Sequence, residues 1–171
     1  MPSEKLKRIK LLLVDVDGVL TDGTIIYDDK GVETKMFNVK DGLGIKMLTK
    51  AGIKVGIVTG RASKALYHRC DDLGISLIFD RARDKASILN VITKQTGISA
   101  EHIAFVGDDL VDLPLMRKVG LSIAVADAHE MLLQDADMVT AAKGGAGAVR
   151  EVCEAILKGR GVWEKTLERL L

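Results

Sequence analysis

Short apolar runs alternate with helical stripes along this chain. Residues 10–16 are apolar until acids close the run, which predicts a buried strand. Residues 23–27 and 32–37 are β-rich and flank Asp28-Asp29-Lys30-Gly31, an acidic, Gly-ended turn, so a hairpin is expected. Residues 41–51 carry Leu43, Met47 and Leu48 at helical spacing and stop at Gly52. A strand at 53–58, a helix at 63–73, a short strand at 77–79 and a helix at 85–96 follow. The alternation then repeats: strand 103–106, helix 110–119, strand 121–125, short helix 128–133, strand stub 138–139, long helix 147–157. Residues 159–171 read as a tail with Trp163, the only Trp. Strands joined by single helices predict parallel βαβ units. The fold expected is α/β, a doubly wound, mainly parallel sheet with helices on both faces, in one domain over residues 1–171.

Composition narrows the function. Lys+Arg 25 against Asp+Glu 24 leaves a net charge of +1, without the basic excess of a nucleic-acid binder. Aromatics at 4% argue against base-stacking platforms. Hydrophobic residues at 47% suffice for a core, yet no run approaches the ~20 residues of a membrane span. Cys70 and Cys153 lie far apart without ligand spacing, as expected of thiols in a cytoplasmic protein.

Open α/β sheets bind ligands beyond the carboxyl ends of their strands. There the first strand delivers Asp15-Val16-Asp17-Gly18, and the second Thr59-Gly60-Arg61. The turn after the third leads to Lys85, and the fourth delivers Gly107-Asp108-Asp109, with Asp112 one turn on. Asp15, Asp17 and Asp108 are expected to converge at one rim. Carboxylates so placed repel one another, and a hard divalent cation with oxygen ligands, Mg²⁺, relieves this. With metal and Lys85 present the site suits an anion, and Thr59 is expected to offer a hydroxyl and N–H groups at a helix N-terminus. One carboxylate can then attack phosphorus, and a second can act as general acid and base. Rival motifs fail on spacing. A calcium loop counted from Asp15 has Gly fourth and Ile26 twelfth, Gly42-Leu43-Gly44 lacks the third glycine of a dinucleotide fingerprint, and Gly144-Gly145-Ala146-Gly147 lacks the Lys-Ser/Thr of a P-loop. His68, His102 and His129 have no catalytic context.

In this order Asp15-Val16-Asp17-Gly18-Val19-Leu20-Thr21, Thr59-Gly60, Lys85 and Gly107-Asp108-Asp109-Leu110-Val111-Asp112 resemble the haloacid dehalogenase superfamily of aspartate-nucleophile phosphatases. The stretches DVDGVLTDG, FNVKDGLGIK, RCDDLGI, VGDDLVDLP, KVGLSIAVADAH and GGAGAVREVCE are similar to its capless 3-deoxy-D-manno-octulosonate 8-phosphate phosphatases, enzymes of lipopolysaccharide precursor synthesis. The resemblance implies Asp15 as nucleophile and Asp17 as acid/base. It implies Mg²⁺ on Asp15, the Asp17 carbonyl and Asp108, with Asp109 and Asp112 behind them. Phosphate falls to Thr59, Gly60 and Lys85. The sugar acid falls to Asn38, Val39, Lys40, Asp41, Gly42, Lys46, Arg61 and Arg69. Arg61 and Arg69, eight apart, are expected near opposite ends of one helix. Two departures touch the sugar rather than the phosphate chemistry: Phe79-Asp80-Arg81-Ala82-Arg83-Asp84 replaces the more usual Gln-Gly before Lys85, and Lys46 stands where some members have Arg.

Neither interval between motifs can hold a cap domain, so the hairpin 23–37 is the sole insertion expected. Its apolar residues Ile25, Ile26, Tyr27, Val32, Met36 and Phe37 predict pairing with other chains. The resemblance implies a homotetramer, with the tail 159–171 near a neighbour's site. The small-molecule partner expected is an eight-carbon sugar-acid phosphate. A nine-carbon sialic-type acid 9-phosphate and a non-catalytic assembly module of the same fold stand as alternatives.

Overall fold

The strands that the apolar runs predict come together as one parallel sheet. The computed structural model describes residues 2–169. In chain order the elements are α1 (Pro2–Arg8), β1 (Leu11–Val14), β2 (Ile26–Tyr27), β3 (Glu33–Thr34), α2 (Val39–Lys50), β4 (Lys54–Val58), α3 (Lys64–Leu73), β5 (Leu77–Phe79), α4 (Lys85–Thr96), β6 (Ile103–Gly107), α5 (Leu113–Met116), β7 (Leu121–Ala124), α6 (Glu130–Asp135), β8 (Met138–Val139), α7 (Ala148–Gly159) and α8 (Trp163–Glu168).

The main sheet has the order β5-β4-β1-β6-β7-β8, every neighbour parallel. Leu11–Val14 is buried along its whole length because β4 and β6 flank it and helices cover it. The chain leaves β1 toward β4 and later returns to the other side of β1 as β6. That reversal between β1 and β6 opens a crevice at their carboxyl ends. The doubly wound fold expected from sequence is therefore the one observed, without a cap.

Helix α2 packs along α7. The buried face of α2 holds Gly42, Gly44, Ile45, Met47 and Leu48, whereas Leu43 is exposed, against the stripe expected from sequence. Gly44 explains the difference: a Cβ there would lie 3.1 Å from the Arg150 backbone and 3.2 Å from Cys153 Cβ, so the helices approach through glycine. Cys70 and Cys153 are buried free thiols.

Three further departures have local causes. Helix α1 carries too few apolar positions to show a period, yet Lys5 reaches Asp137 at 2.5 Å and Leu6 lies on the core. The helix expected at 110–119 is a short 3-10 turn and then α5, which ends at Met116; the Gly120 N–H turns back to the Ala100 carbonyl at 2.8 Å. The tail forms α8 and folds on its own chain, with Val162 and Trp163 on the core and Lys158 over the Trp163 ring at 4.8 Å. Leu170 and Leu171 of the expected tail lie outside the described residues.

Candidate active site

The loop after β1 is shaped by the motif that follows it. The Asp15 N–H continues the ladder to the Val106 carbonyl at 3.1 Å, holding that side chain at the strand end. Thr21 Oγ donates to the Val16 carbonyl and accepts from the N–H groups of Gly18 and Gly23, which staples the loop closed. Gly18 has φ +87°, and a Cβ there would sit 2.0 Å from Asp108 Oδ2. Glycine at this position lets the first loop touch the carboxylate delivered by β6.

Asp15, Asp108 and Asp112 each place a carboxylate oxygen within 4.8 Å of the others. Asp112 is fully buried and saturated: Oδ1 accepts from Lys85 Nζ at 2.5 Å, and Oδ2 accepts from the N–H groups of Asp108 and Asp109 at 2.9 and 3.3 Å. It fixes the β6 loop and the lysine. Lys85 Nζ also lies 2.9 Å from Asp15 Oδ2. Burial pushes the Asp15 carboxyl up to about 7, reinforced by Asp112 and opposed by Lys85. Burial and the charges of Asp15 and Asp112 push Asp108 up to about 8. Burial alone would lower the Lys85 ammonium, but Asp15 and Asp112 raise it on balance. Two carboxyls beside each other, both raised by burial and offering oxygen donors only, fit a hard divalent cation that competes with protons for them.

Asp17 departs from the expected convergence of three side chains. It lines the same cleft, but its carboxylate is turned to the hairpin. Lys35 donates to Asp17 Oδ1, and Arg61 Nε lies 3.5 Å from Oδ2. Lys35, with a side chain only 2% exposed, also pairs with Glu33 at 3.1 Å. Arg61 in turn donates to Tyr27 Oη at 2.8 Å and Glu33 Oε1 at 2.9 Å. Sequence reading missed Lys35 and Glu33. The alternation of Glu33 in β3 with Lys35 just past it was the available signal, since residues two apart in extended chain share a face.

The cleft, of about 380 Å³, is lined by Asp15, Asp17, Gly23, Thr59, Gly60, Arg61, Ala82, Arg83, Lys85, Asp108, Asp109 and Val111. That size suits a small molecule. Thr59 is buried, and its Oγ1 accepts from the Arg61 N–H at 3.3 Å. It does not stand at a helix N-terminus as expected: α3 begins at Lys64, capped by Ser63, whose Oγ accepts from the Leu66 N–H. For the same reason Arg61 lies in the loop before α3, and only Arg69 is on the helix.

Asn38, Val39, Lys40, Asp41, Gly42, Lys46 and Arg69 do not line this cleft. Asn38 to Gly42 form the start of α2, Lys46 lies further along it, and Arg69 reaches that start from α3. Asn38 caps α2, accepting from the Lys40 N–H at 2.8 Å. Asp41 is buried, and its Oδ1 accepts from the Arg150 N–H at 2.7 Å at the start of α7. Arg69 donates to the Asn38 carbonyl at 3.2 Å and lies over the Phe37 ring. Val39, Lys40 and Lys46 face solvent.

An acid pair after β1, a threonine after β4, a buried lysine opening α4 and an acid cluster after β6 define a haloacid dehalogenase-like phosphatase. The haloacid dehalogenase-like hydrolase family matches residues 75–152. The 3-deoxy-D-manno-octulosonate 8-phosphate phosphatase of Escherichia coli (strain K12) is 47% identical over 92% of this chain and 84% of its own. The Yersinia pestis phosphatase of the same name superposes with a TM-score of 0.94 at 45% identity, covering 95% of this chain and 88% of that one. The Moraxella catarrhalis phosphatase, solved in complex with magnesium, phosphate and a KDO molecule, superposes with a TM-score of 0.96 at 44% identity, covering 99% and 97%. The chain belongs to the family of 3-deoxy-D-manno-octulosonate 8-phosphate phosphatases.

Proposed function

We propose that this chain is a magnesium-dependent phosphomonoesterase that hydrolyses 3-deoxy-D-manno-octulosonate 8-phosphate to the free sugar acid and phosphate, in the cytoplasm, for lipopolysaccharide precursor synthesis. The observation that carries the reading is the meeting of Asp15, Asp108 and Lys85 at the carboxyl ends of β1 and β6. Asp15, the Asp17 carbonyl and Asp108 would hold Mg²⁺, which supplies charge neutralisation for the phosphoryl group. Asp15 attacks phosphorus and becomes an aspartyl-phosphate. Asp17 gives its proton to the leaving sugar oxygen, then takes one from the water that hydrolyses the intermediate. Lys85 and Thr59 hold the phosphoryl oxygens, with the Gly60 backbone beside them. Asp109 and Asp112 support this arrangement.

The α2 residues and Arg69 would reach the sugar acid of a neighbouring chain through assembly. Ile25, Ile26, Tyr27, Val32 and Met36 of the hairpin are exposed, Met36 to 68%. A homotetramer built on these hairpins would cover them, and would bring the Asn38–Lys46 segment and Arg69 of one chain toward the cleft of another, where they would meet the sugar acid.

Phosphate release across a panel of sugar phosphates, with Mg²⁺ or with chelator, tests the reading. The eight-carbon sugar-acid phosphate should be preferred, and chelation or Asp15→Asn should reduce release to background. Preference for a nine-carbon acid 9-phosphate would replace the substrate, and turnover by Asp15→Asn would refute the mechanism. Light scattering should give about four chains per particle; an active monomer would refute the assembly.

A further inference from the structure

We propose that Arg83 is a specificity-determining residue that binds the carboxylate of the substrate at the mouth of the cleft. The inference rests on the sugar-acid reading above and adds a residue that the family resemblance does not supply. It begins with the segment between β5 and α4, residues 80–84, which borders the cleft at Ala82 and Arg83.

That segment is tied to the strand end bearing Thr59. The Thr59 N–H donates to the Phe79 carbonyl at 2.9 Å, and the Ala82 N–H donates to the Thr59 carbonyl at 3.0 Å. Between these tethers the backbone reverses at Arg81, the sole described non-glycine residue with positive φ, at 51°. The Arg83 N–H closes the reversal on the Arg81 carbonyl at 3.0 Å. On the far side, Asp84 caps α4 by accepting from the Ala86 and Ser87 N–H groups. Arg83 is thus presented to the cleft from a loop pinned on both sides. Holding a non-glycine residue in the left-handed region costs roughly 1–3 kcal/mol, a cost that tends to accompany function.

Charge separates Arg83 from the other cations that one chain places along the cleft, Lys85 and Arg61. Lys85, at the buried floor, is committed to Asp15 and Asp112. Arg61 is committed to Glu33, Tyr27 and Asp17. Arg83 is exposed at the rim, and among the described residues no ion pair engages it. Phosphate held over Asp15 leaves the rest of the substrate pointing out past this rim. The only other anion of a sugar-acid phosphate is its carboxylate, a planar group that the guanidinium fork matches with two parallel hydrogen bonds. A neutral sugar phosphate offers nothing there.

The test compares Arg83→Gln and Arg83→Lys with the wild type on two esters, 3-deoxy-D-manno-octulosonate 8-phosphate and D-arabinose 5-phosphate, which has no carboxylate. The ratio of kcat/KM for the acid to that for the neutral ester should fall roughly 10–100-fold in Arg83→Gln, the scale of a lost charge-assisted pair. The loss should appear in KM rather than kcat. Arg83→Lys should recover part of the ratio through its charge. Because Arg83 is exposed, thermal midpoints should match the wild type. An unchanged ratio, whether from equal losses on both esters or from none, would overturn the assignment. A wild type that cleaved the neutral ester and ignored the acid would refute the substrate reading itself, and this assignment with it.

Discussion

Replacing Lys85 by Met isolates the electrostatics of the cleft. Lys85 Nζ sits 2.9 Å from Asp15 and 2.5 Å from Asp112, with Asp108 beside them, and its side chain is 3% exposed. Methionine keeps the bulk and removes the cation. Breaking a buried pair from one side costs about 3–5 kcal/mol, because the remaining charge has no partner. That cost depends on pH. Asp15, up to about 7, and Asp108, up to about 8, already hold protons more tightly than the unfolded chain does. A carboxyl with a raised folded value contributes most below its unfolded value and loses that contribution as pH rises through the folded one. Without Lys85 both carboxyls rise further. The deficit relative to wild type should therefore be smaller near pH 5, where Asp15 and Asp108 stay protonated and Asp112 alone loses its Lys85 partner, and widen above about 7 for Asp15 and above about 8 for Asp108, by up to about 1.4 kcal/mol per pH unit for each carboxyl. Urea denaturation in chelator at pH 5 and pH 8.5 measures this. Added Mg²⁺ should recover part of the loss at pH 8.5 by supplying positive charge to the same oxygens. A deficit that did not change with pH, or one near zero at pH 8.5, would refute the description of Lys85 as the cation that offsets these acids.

Apparent Mg²⁺ affinity should fall as pH drops through about 8 to about 7, because Asp108 and Asp15 must shed protons to bind; titration calorimetry in two buffers should show proton release. Gly18→Ala would place a Cβ 2.0 Å from Asp108 Oδ2; the protein should fold but bind Mg²⁺ roughly 10–100-fold more weakly, the scale on which misplaced ligands act. Asp41, buried at the start of α2, has its carboxyl raised by that burial despite N–H donors from α7. Asp41→Asn keeps the acceptor for the Arg150 N–H without the charge, so its stability relative to wild type should improve as pH rises through the Asp41 value; a pH-independent difference in denaturation midpoint would contradict this.

The main sheet was legible because its strands are short apolar runs, β1, β5 and β6 closed at once by acid or glycine. Lys85 and Thr59 were legible because chemistry at strand ends follows from topology. What escaped was set by partners distant in sequence. Leu43 looks like a core residue until α7 arrives and selects the glycine face of α2. Asp41 looks like a sugar-acid ligand, and its partner is the N–H of Arg150 more than a hundred residues away. Asp17 and Arg61 both reach the cleft, but the cluster they join with Lys35 and Glu33 exists only once the hairpin folds back onto the loops after β1 and β4. Helices α1 and α8 were invisible because a single turn or two leaves no period to read.

The hairpin stands on two fixed feet, the Thr21 staple on one side and Phe37 against the core on the other, and its two short strands pair only with each other. Its tip at Asp28–Gly31 carries no ladder bond of the main sheet. New chain inserted there would leave Lys35 seated on Asp17 and every strand register intact. Closing a loop twice as long adds only about 0.6 kcal/mol of entropy. The tip is thus a natural graft point. A small folded module placed at residues 29–30 would enter beside Tyr27, Glu33 and Arg61 without touching the sheet, a route by which a capless phosphatase could gain a second folded unit, in the laboratory or by descent.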